Sequence, residues 1–217
     1  MSVAPPQSVA PKRPRTSPPE VRRAELLAAA RQVIVDKGFA AMRVSDVVAL
    51  AGLSQGAFYL HFKSKEEVVV EIMREVVQET AVALRAIPQA DLSLADAIRA
   101  IVRNYYAVCL HHRSVLERLD SPTVSGVDQT QWAAVYEPLN SFALESCQDW
   151  QRRGLVSTAV GANVLSWLMI DAINGALPRL FGRAGDHRAS TDYPDLIAEW
   201  IEAAMRNLRP AGAKAAG

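Results

Sequence analysis

Residues 51–69 read AGLSQGAFYLHFKSKEEVV and carry the most informative local pattern in the chain. Phe58 and Phe62 are four residues apart, so they can anchor one face of a short helix in a small core. Gly56 stands inside that helix, where a glycine costs roughly 1 kcal/mol relative to alanine. The cost is explained if the helix backbone has to approach another surface closely. The stretch therefore indicates a short helix that contacts an external partner.

The cationic residues after this helix indicate what the partner is. Lys65 lies in the first turn of the next helix, where the helix dipole disfavours a cation by roughly 0.3–1 kcal/mol. An external phosphate would reverse that penalty, and Tyr59 and His61 supply donors of the type that bind phosphate oxygens. Gly52 allows a sharp turn between the short helix and another one near 45–51. This arrangement predicts a helix-turn-helix DNA-binding domain whose second short helix enters the major groove.

The distribution of charge supports a polyanionic partner. Residues 1–65 contain ten Lys and Arg and four Asp and Glu, a net charge of +6, whereas residues 66–217 contain fourteen and nineteen, a net charge of −5. A basic N-terminal part joined to an acidic remainder favours contact between the N-terminal part and a polyanion. The alternative is that the aromatics are plain core and the lysines a solvated surface. It explains any one residue, but not the costs at Gly56 and Lys65 together.

The segment VSDVVALAGLSQGAFYLHFKSKEEVV resembles the DNA-binding signature of the TetR (tetracycline repressor) family, over about residues 21–68. The resemblance implies a dimeric repressor that binds a palindromic operator in double-stranded DNA and is released by a small molecule. It implies base contacts by Ser45, Gln55, Gly56 and Ala57. It implies phosphate contacts by Tyr59, His61, Lys63 and Lys65. Where the family often has threonines before the second helix, this chain has Met42 and Arg43, and Arg43 is placed within reach of a phosphate.

The remaining sequence predicts helices throughout, with no strand pattern and no internal repeat. Beyond the helix-turn-helix and a long helix through about residue 82, we expect helices near 94–111, 113–119, 129–153, 157–182 and 194–208. The fold class is therefore all-α. We expect a disordered basic arm at 1–16, a DNA-binding domain at 17–64, a helical ligand-binding and dimerisation domain at 65–209 and a flexible tail at 210–217.

The middle helices carry large rings and few full charges, which predicts a ligand pocket for a mostly apolar molecule with a few polar anchors. The candidate lining residues are Tyr105, Tyr106, Cys109, Leu116, Trp132, Tyr136, Phe142, Trp150 and Asn174. Taken singly, each ring is more typical of an ordinary core. Asp171 and Asn174 are polar residues in an apolar helix, and three places are open to them: the dimer interface, the cavity or the solvent.

Two copies of a helix-turn-helix, about 34–36 Å apart, would read a palindrome that one copy reads weakly. The last two helices have small and apolar residues at helical spacing, which predicts a four-helix interface between two chains. The candidate interface residues are Ala162, Ser166, Ile170, Ile173, Ile197, Trp200, Ile201 and Ala204. The alternative is that these residues form the core of a monomer.

Several classes of function lack a sequence signal. GxGxxG, CxxC and HExxH are absent, and we expect no catalytic residue, cofactor or metal site. His111 and His112 are adjacent, and on a helix they would point about 100° apart, which makes a poor pair of ligands. A helical enzyme remains an alternative, as does a DNA-binding structural protein without a ligand.

The sequence also predicts the compartment. No apolar run reaches about 18 residues, so we expect no membrane span. Cys109 and Cys147 are the only cysteines, which is typical of two reduced, buried thiols in a cytoplasmic protein. A redox pair or a metal site is the alternative for them.

Overall fold

The computed structural model describes residues 18–119, 127–181 and 193–208, and these ranges contain helices only, which confirms the all-α prediction. The arm at 1–16 and the tail at 210–217 lie outside the described residues. The helices are α1 Pro19–Lys37, α2 Val44–Ala51, α3 Gln55–Tyr59, α4 Lys65–Arg85, α5 Leu94–His111, α6 Arg113–Leu116, α7 Gln129–Arg152, α8 Ala162–Leu180 and α9 Tyr193–Asn207, with a 3-10 turn at Gln89–Asp91.

The first three helices close around a small core. Leu26, Ala30 and Ile34 recur every four residues along α1 and are fully buried, so α1 presents one apolar stripe. Phe58 and Phe62 are buried in the same cluster, as their spacing predicts. Gly52 ends α2 with φ 67° and ψ 32°, the left-handed conformation that the sharp turn before α3 requires.

Helix α3 is shorter than the predicted 55–62. It ends at Tyr59, and the amides of His61 and Phe62 both donate to the carbonyl of Phe58 at 2.9 Å, so the chain continues as a tight turn. This turn still delivers Phe62 into the core. The apolar anchor was therefore predicted correctly, although the helix length was wrong.

Helix α4 joins the two halves of the chain. Ser64 caps it, because its Oγ accepts a hydrogen bond from the amide of Glu67 at 3.3 Å. Val68 and Val77 pack into the cluster that also holds Phe58, whereas Leu84 packs into a second cluster formed by α5, α7, α8 and α9. One rigid element of 21 residues thus reaches both cores.

Helix α8 begins at Ala162, five residues later than the predicted 157. The amide of Ser157 donates to the carbonyl of Met205 at 3.1 Å, and its Oγ donates to the carbonyl of Leu208 at 2.6 Å. These bonds hold the segment before α8 against the end of α9, so it does not join the helix.

Among the described residues, no helix has both the length and the apolar character that a bilayer crossing requires.

Candidate nucleic-acid interface and ligand pocket

The predicted base-contacting residues belong to α2 and α3 and are all at least partly accessible to solvent. Ser45, Gln55 and Gly56 are exposed, and Ala57 is half-buried. Ser54 caps α3, since its Oγ accepts a hydrogen bond from the amide of Ala57 at 3.2 Å. The cap fixes the first turn of α3 and leaves its outer face to solvent.

Four of the five predicted phosphate-contacting residues are at least partly accessible to solvent. Arg43, Tyr59 and Lys63 are exposed, and His61 is half-buried. The Tyr59 ring meets the buried Phe58 ring edge to face, with centroids 5.4 Å apart, yet 57% of Tyr59 is exposed. Packing therefore fixes one side of the Tyr59 ring and leaves the rest of the side chain free to meet a partner.

Sequence reasoning missed Leu60, which follows Tyr59 and is 81% exposed. The available signal is its spacing: Leu60 stands two residues from both Phe58 and Phe62, so a helical turn places it on the side away from these buried rings.

Lys65 has an internal partner that the sequence did not predict. Its Nζ donates to the carbonyls of Met42 at 3.2 Å and of Phe39 and Ala40 at 3.4 Å. The ammonium also lies 4.6 Å from the centroid of the Phe39 ring. These contacts offset the dipole cost at the start of α4 without an external phosphate, which the argument from the sequence did not foresee. A phosphate contact by Lys65 stays a prediction.

Asp46 binds the backbone at the start of α2, where the residue before the helix is Arg43. Its Oδ2 accepts a hydrogen bond from the amide of Arg43 at 3.2 Å, and its Oδ1 lies 2.9 Å from Nζ of Lys37. The hydrogen bond from Lys37 lowers the pKa of Asp46, so the carboxylate is charged at neutral pH. The Arg43 side chain is therefore free of capping and points to solvent.

A cavity of about 800 Å³ lies among α4, α5, α6, α7 and α8. Seven predicted residues line it: Tyr105, Cys109, Leu116, Trp132, Tyr136, Phe142 and Asn174. Tyr106 and Trp150 were assigned wrongly, because both are buried in the second core beside the cavity. The Tyr106 hydroxyl donates to the carbonyl of Ile173 at 2.9 Å, which turns that ring away from the cavity.

The cavity wall is mainly apolar and carries a few neutral polar groups. The Tyr105 hydroxyl donates to Oδ1 of Asn174 at 2.5 Å. Burial raises the pKa of Tyr105 well above its ordinary value and that of Cys109 to about 12, so both groups are protonated at neutral pH. Asp171 also lines the cavity and is exposed, which places it at the rim. An apolar ligand with one or two polar atoms fits this wall.

The sequence predicts that the far end of α4, near Val82 and Leu84, reaches the pocket, but not that the middle of α4 lines it. Met73, Val76 and Val77 line it, together with Thr80 and Leu84. The apolar spacing along α4 is the same for a helix that faces a filled core and for one that faces a cavity, so the sequence holds no signal for this role.

The predicted dimer surface is partly wrong. Ser166, Ile173 and Ile201 are buried against the chain's own core, which removes them from an interface with a second chain. The half-buried members of the predicted set are Ala162, Ile170, Ile197 and Ala204, and only Trp200 is exposed. The large apolar side chains that α8 and α9 present to solvent are Trp167, Leu168, Leu196 and Trp200. Because α8 has apolar residues on two sides, spacing alone did not identify the inner one.

Helix α6 connects the cavity to the DNA-binding domain. Leu116 and Leu119 line the cavity, and between them the carbonyl of Arg118 accepts a hydrogen bond from the amide of Phe39 at 3.3 Å. Phe39 belongs to the loop whose carbonyls hold Lys65. A direct hydrogen bond therefore joins the segment after α6 to the loop between α1 and α2.

The expectation about the adjacent histidines was also wrong. His111 is the last residue of α5, and His112 lies in the turn between α5 and α6 with φ −93° and ψ 10°. The two rings meet edge to face with centroids 4.8 Å apart, so they point toward a common region. The helical angle between neighbours does not apply, because the helix ends between them.

Residues 26–72 match the family model of bacterial regulatory proteins of the tetR family. The HTH-type transcriptional regulator YvdT of Bacillus subtilis is 25% identical over 118 residues, which are 54% of this chain and 61% of that protein. The HTH-type transcriptional repressor KstR2 of Mycolicibacterium smegmatis is 44% identical over 59 residues, which are 27% of this chain and 29% of that protein. The chain thus spans less than two thirds of the length of either relative.

The fold is shared more widely than the sequence. The crystal structure of the regulator FadR from Bacillus subtilis in complex with stearoyl-CoA has a TM-score of 0.68 and 12% sequence identity, and covers 85% of this chain and 97% of FadR. At this identity the likeness concerns the fold alone. Residues 26–72 are therefore a DNA-binding domain of the tetR family type, and the helical body that follows shares its fold with FadR.

Proposed function

We propose that the chain is a dimeric transcriptional repressor that binds a palindromic operator and is released by a largely apolar ligand. The observation that carries the proposal is the open face of α2 and α3, with Gln55 and Gly56 exposed on a helix that Ser54 caps. An enzyme is disfavoured because the polar groups inside the cavity, such as Asn174 and a protonated Tyr105, are neutral, and Asp171 lies exposed at the rim. We further propose a cytoplasmic location and the domain boundaries 17–64 and 65–209.

The DNA contacts divide by the kind of atom that each residue meets. We assign base edges to Ser45, Gln55, Gly56 and Ala57, and phosphates to Arg43, Tyr59, His61, Lys63 and Lys65. Contacts to base edges specify the sequence, whereas contacts to phosphates fix the position of the protein on the duplex. Lys65 has a double role in this assignment, since it also holds the loop before α2.

The exposed face of α8 and α9 is the proposed dimer interface. Trp167 is 58% exposed and Trp200 is 62% exposed, and Leu168 and Leu196 lie with them on the surface of these helices. Two such pairs of helices would form a four-helix contact that buries all four side chains. The two copies of α3 would then read half-sites about 34–36 Å apart.

The proposed ligand is a long acyl chain. The relative FadR from Bacillus subtilis has been solved with stearoyl-CoA, and the cavity of this chain is apolar and about 800 Å³ in volume. Thr80, Asn140 and Asn174 supply the few polar atoms along the wall. The exposed Asp171 at the rim marks the side where a polar head would meet solvent.

Release would follow from movement of α4 and α6 together. From Lys65 to Val82, α4 spans about 25 Å, so a small tilt at the cavity displaces its DNA-binding end. The bond from Phe39 to Arg118 moves the loop before α2 with α6. Two α3 helices that shift apart by a few ångströms no longer match one groove spacing.

Enrichment of random duplexes on the full-length chain tests DNA binding. Selected sites should contain two inverted half-sites. Titration with stearoyl-CoA should then weaken binding by up to about a hundredfold, or 2.7 kcal/mol, and saturating operator must weaken stearoyl-CoA binding by the same factor. Coenzyme A without the acyl chain is the control. No enriched sequence would exclude the operator, and equal stearoyl-CoA affinity with and without operator would exclude the switch.

A further inference from the structure

Three metal-ligating side chains meet where the middle of α4 passes the end of α5. Oε2 of Glu79 lies 2.7 Å from Nε2 of His112, and one ligand atom from each of Glu79, His111 and His112 lies within 4.8 Å of the other two. We propose that these three residues bind a divalent first-row transition metal of the zinc type. Nothing in this proposal depends on DNA binding or on the ligand cavity.

The ligand set and its dimensions suit such a metal. Zinc binds imidazole nitrogen at about 2.0–2.1 Å and carboxylate oxygen at about 2.0–2.2 Å, which places ligand atoms about 3.3 Å apart in a tetrahedral site. The largest separation in this cluster therefore needs to shorten by about 1.5 Å. Glu79 and His111 are exposed and can make that change by rotating their side chains. Two imidazoles and a carboxylate leave the fourth position for water, as in other sites of this ligand set.

The backbone holds the ligands in place. The amide of His112 donates to the carbonyl of Val108 at 3.1 Å, and its own carbonyl accepts from the amides of Val115 and Leu116, both at 3.1 Å. His112 is therefore fixed to the end of α5 and to the start of α6 at once. Glu79 projects from the interior of α4, six residues before its end, and has no backbone freedom.

The guanidinium group of Arg113, the residue after His112, does not occupy the site. Nε of Arg113 donates to Oε1 of Glu117 at 2.7 Å, and its Nη2 donates to the carbonyl of Phe181 at 2.6 Å. The Arg113 guanidinium is thus directed to α6 and the end of α8. A simple ion pair between Glu79 and His112 is the competing explanation, but it gives no role to the His111 ring beside them.

A bound metal would join α4 to the corner between α5 and α6. This corner precedes the helix that carries Leu116 in the cavity wall, and α4 carries Thr80 in the opposite part of that wall. The cation would therefore act as a clamp on the two elements that reach the DNA-binding domain, α4 and α6.

Calorimetric titration of the untagged, chelator-treated full-length chain with ZnCl2 tests the site, with Co²⁺ absorption as a second readout of the ligand set. We expect one site per chain, and at least tenfold weaker binding in His111→Ala, His112→Ala and Glu79→Gln, because even residues behind a metal ligand are worth about 10–100-fold. His61→Ala is the matched control and should bind as the unmodified chain does.

Folding is checked without metal by the circular dichroism of the helices. The His111→Ala variant changes an exposed side chain and Glu79→Gln is isosteric, so both should have the spectrum of the unmodified chain. Loss of binding in all three variants, with the control intact, would establish the site. Zinc binding that survives His111→Ala would overturn it, because the cluster would then be only the Glu79–His112 pair. Absence of stoichiometric binding by the unmodified chain would overturn it as well.

Discussion

The DNA-binding domain and the helical body keep their candidate site residues in opposite environments. Around α3, side chains such as Gln55 and Tyr59 are exposed, while Phe58 beside them is fully buried. In the body, candidate residues such as Tyr105 are held inside, around a cavity. The candidate DNA-contacting residues lie close together in the sequence, whereas the cavity is lined by five helices that are far apart in the sequence. We therefore expect substitutions of exposed residues in the DNA-binding domain to change recognition with little change in stability. In the body, we expect substitutions in the cavity wall to change both.

The largest expected effect is a difference in unfolding free energy between a variant of a buried tryptophan in the body and a variant of an exposed tyrosine on α3. Trp150 is fully buried in the second core, so Trp150→Ala should lower the free energy of unfolding by about 3–5 kcal/mol. Tyr59→Ala should change it by less than about 0.5 kcal/mol, because the ring is mostly exposed. Urea denaturation measures both values, and duplex binding at fixed salt should fall only for Tyr59→Ala among variants that remain folded.

A loss of stability at Tyr59 as large as that at Trp150 would remove the distinction. The Tyr59 ring would then be a structural part of the first core, and its edge contact with Phe58 would account for it.

The sequence predicted the first region well because its signals are local. The spacing of Phe58 and Phe62 and the turn at Gly52 each operate within a few residues. Lys65 is the instructive failure in this region. Its carbonyl partners lie more than 20 residues earlier in the chain, so a local argument about the helix dipole overlooked them.

The body was predicted less well because its signals depend on distant neighbours. Tyr105 and Tyr106 are adjacent, yet one lines the cavity and the other fills the core. Which of the two enters the cavity depends on the rotation of α5 against its neighbours, and composition does not contain that angle. The same limit applies to α8, where Ser166 is buried and Trp167 is exposed.

An intermediate effect tests whether the two lysines beside α3 have different roles. Lys65→Ala should lower the free energy of unfolding by about 1–2 kcal/mol, because three carbonyls lose a charged donor. Lys63→Ala should leave stability unchanged, since that side chain is exposed. If both also contact phosphate, each should reduce the salt dependence of DNA binding by about one unit.

The measurement is duplex affinity across a salt series, together with chemical denaturation. A Lys65→Ala variant that loses stability but keeps the full salt dependence would assign this lysine to the loop alone. Its phosphate role would then be withdrawn, and Lys63 would remain as the exposed cation next to the short helix.

The smallest expected effect on stability, and the sharpest test of separability, is at Gly56. A Cβ at this position meets only Oγ of Ser54, at 3.8 Å, which is ordinary contact. Gly56→Ala should therefore raise the free energy of unfolding by roughly 0.5–1 kcal/mol, because alanine is preferred in helices. Gly52→Ala is the contrasting control and should destabilise the domain, since φ there is 67°. If the α3 backbone approaches a duplex closely, the added methyl group of Gly56→Ala should nevertheless weaken operator binding by about tenfold, or 1.4 kcal/mol. A more stable variant with undiminished affinity would show that no duplex approaches α3 at this residue, and the glycine would then need another explanation.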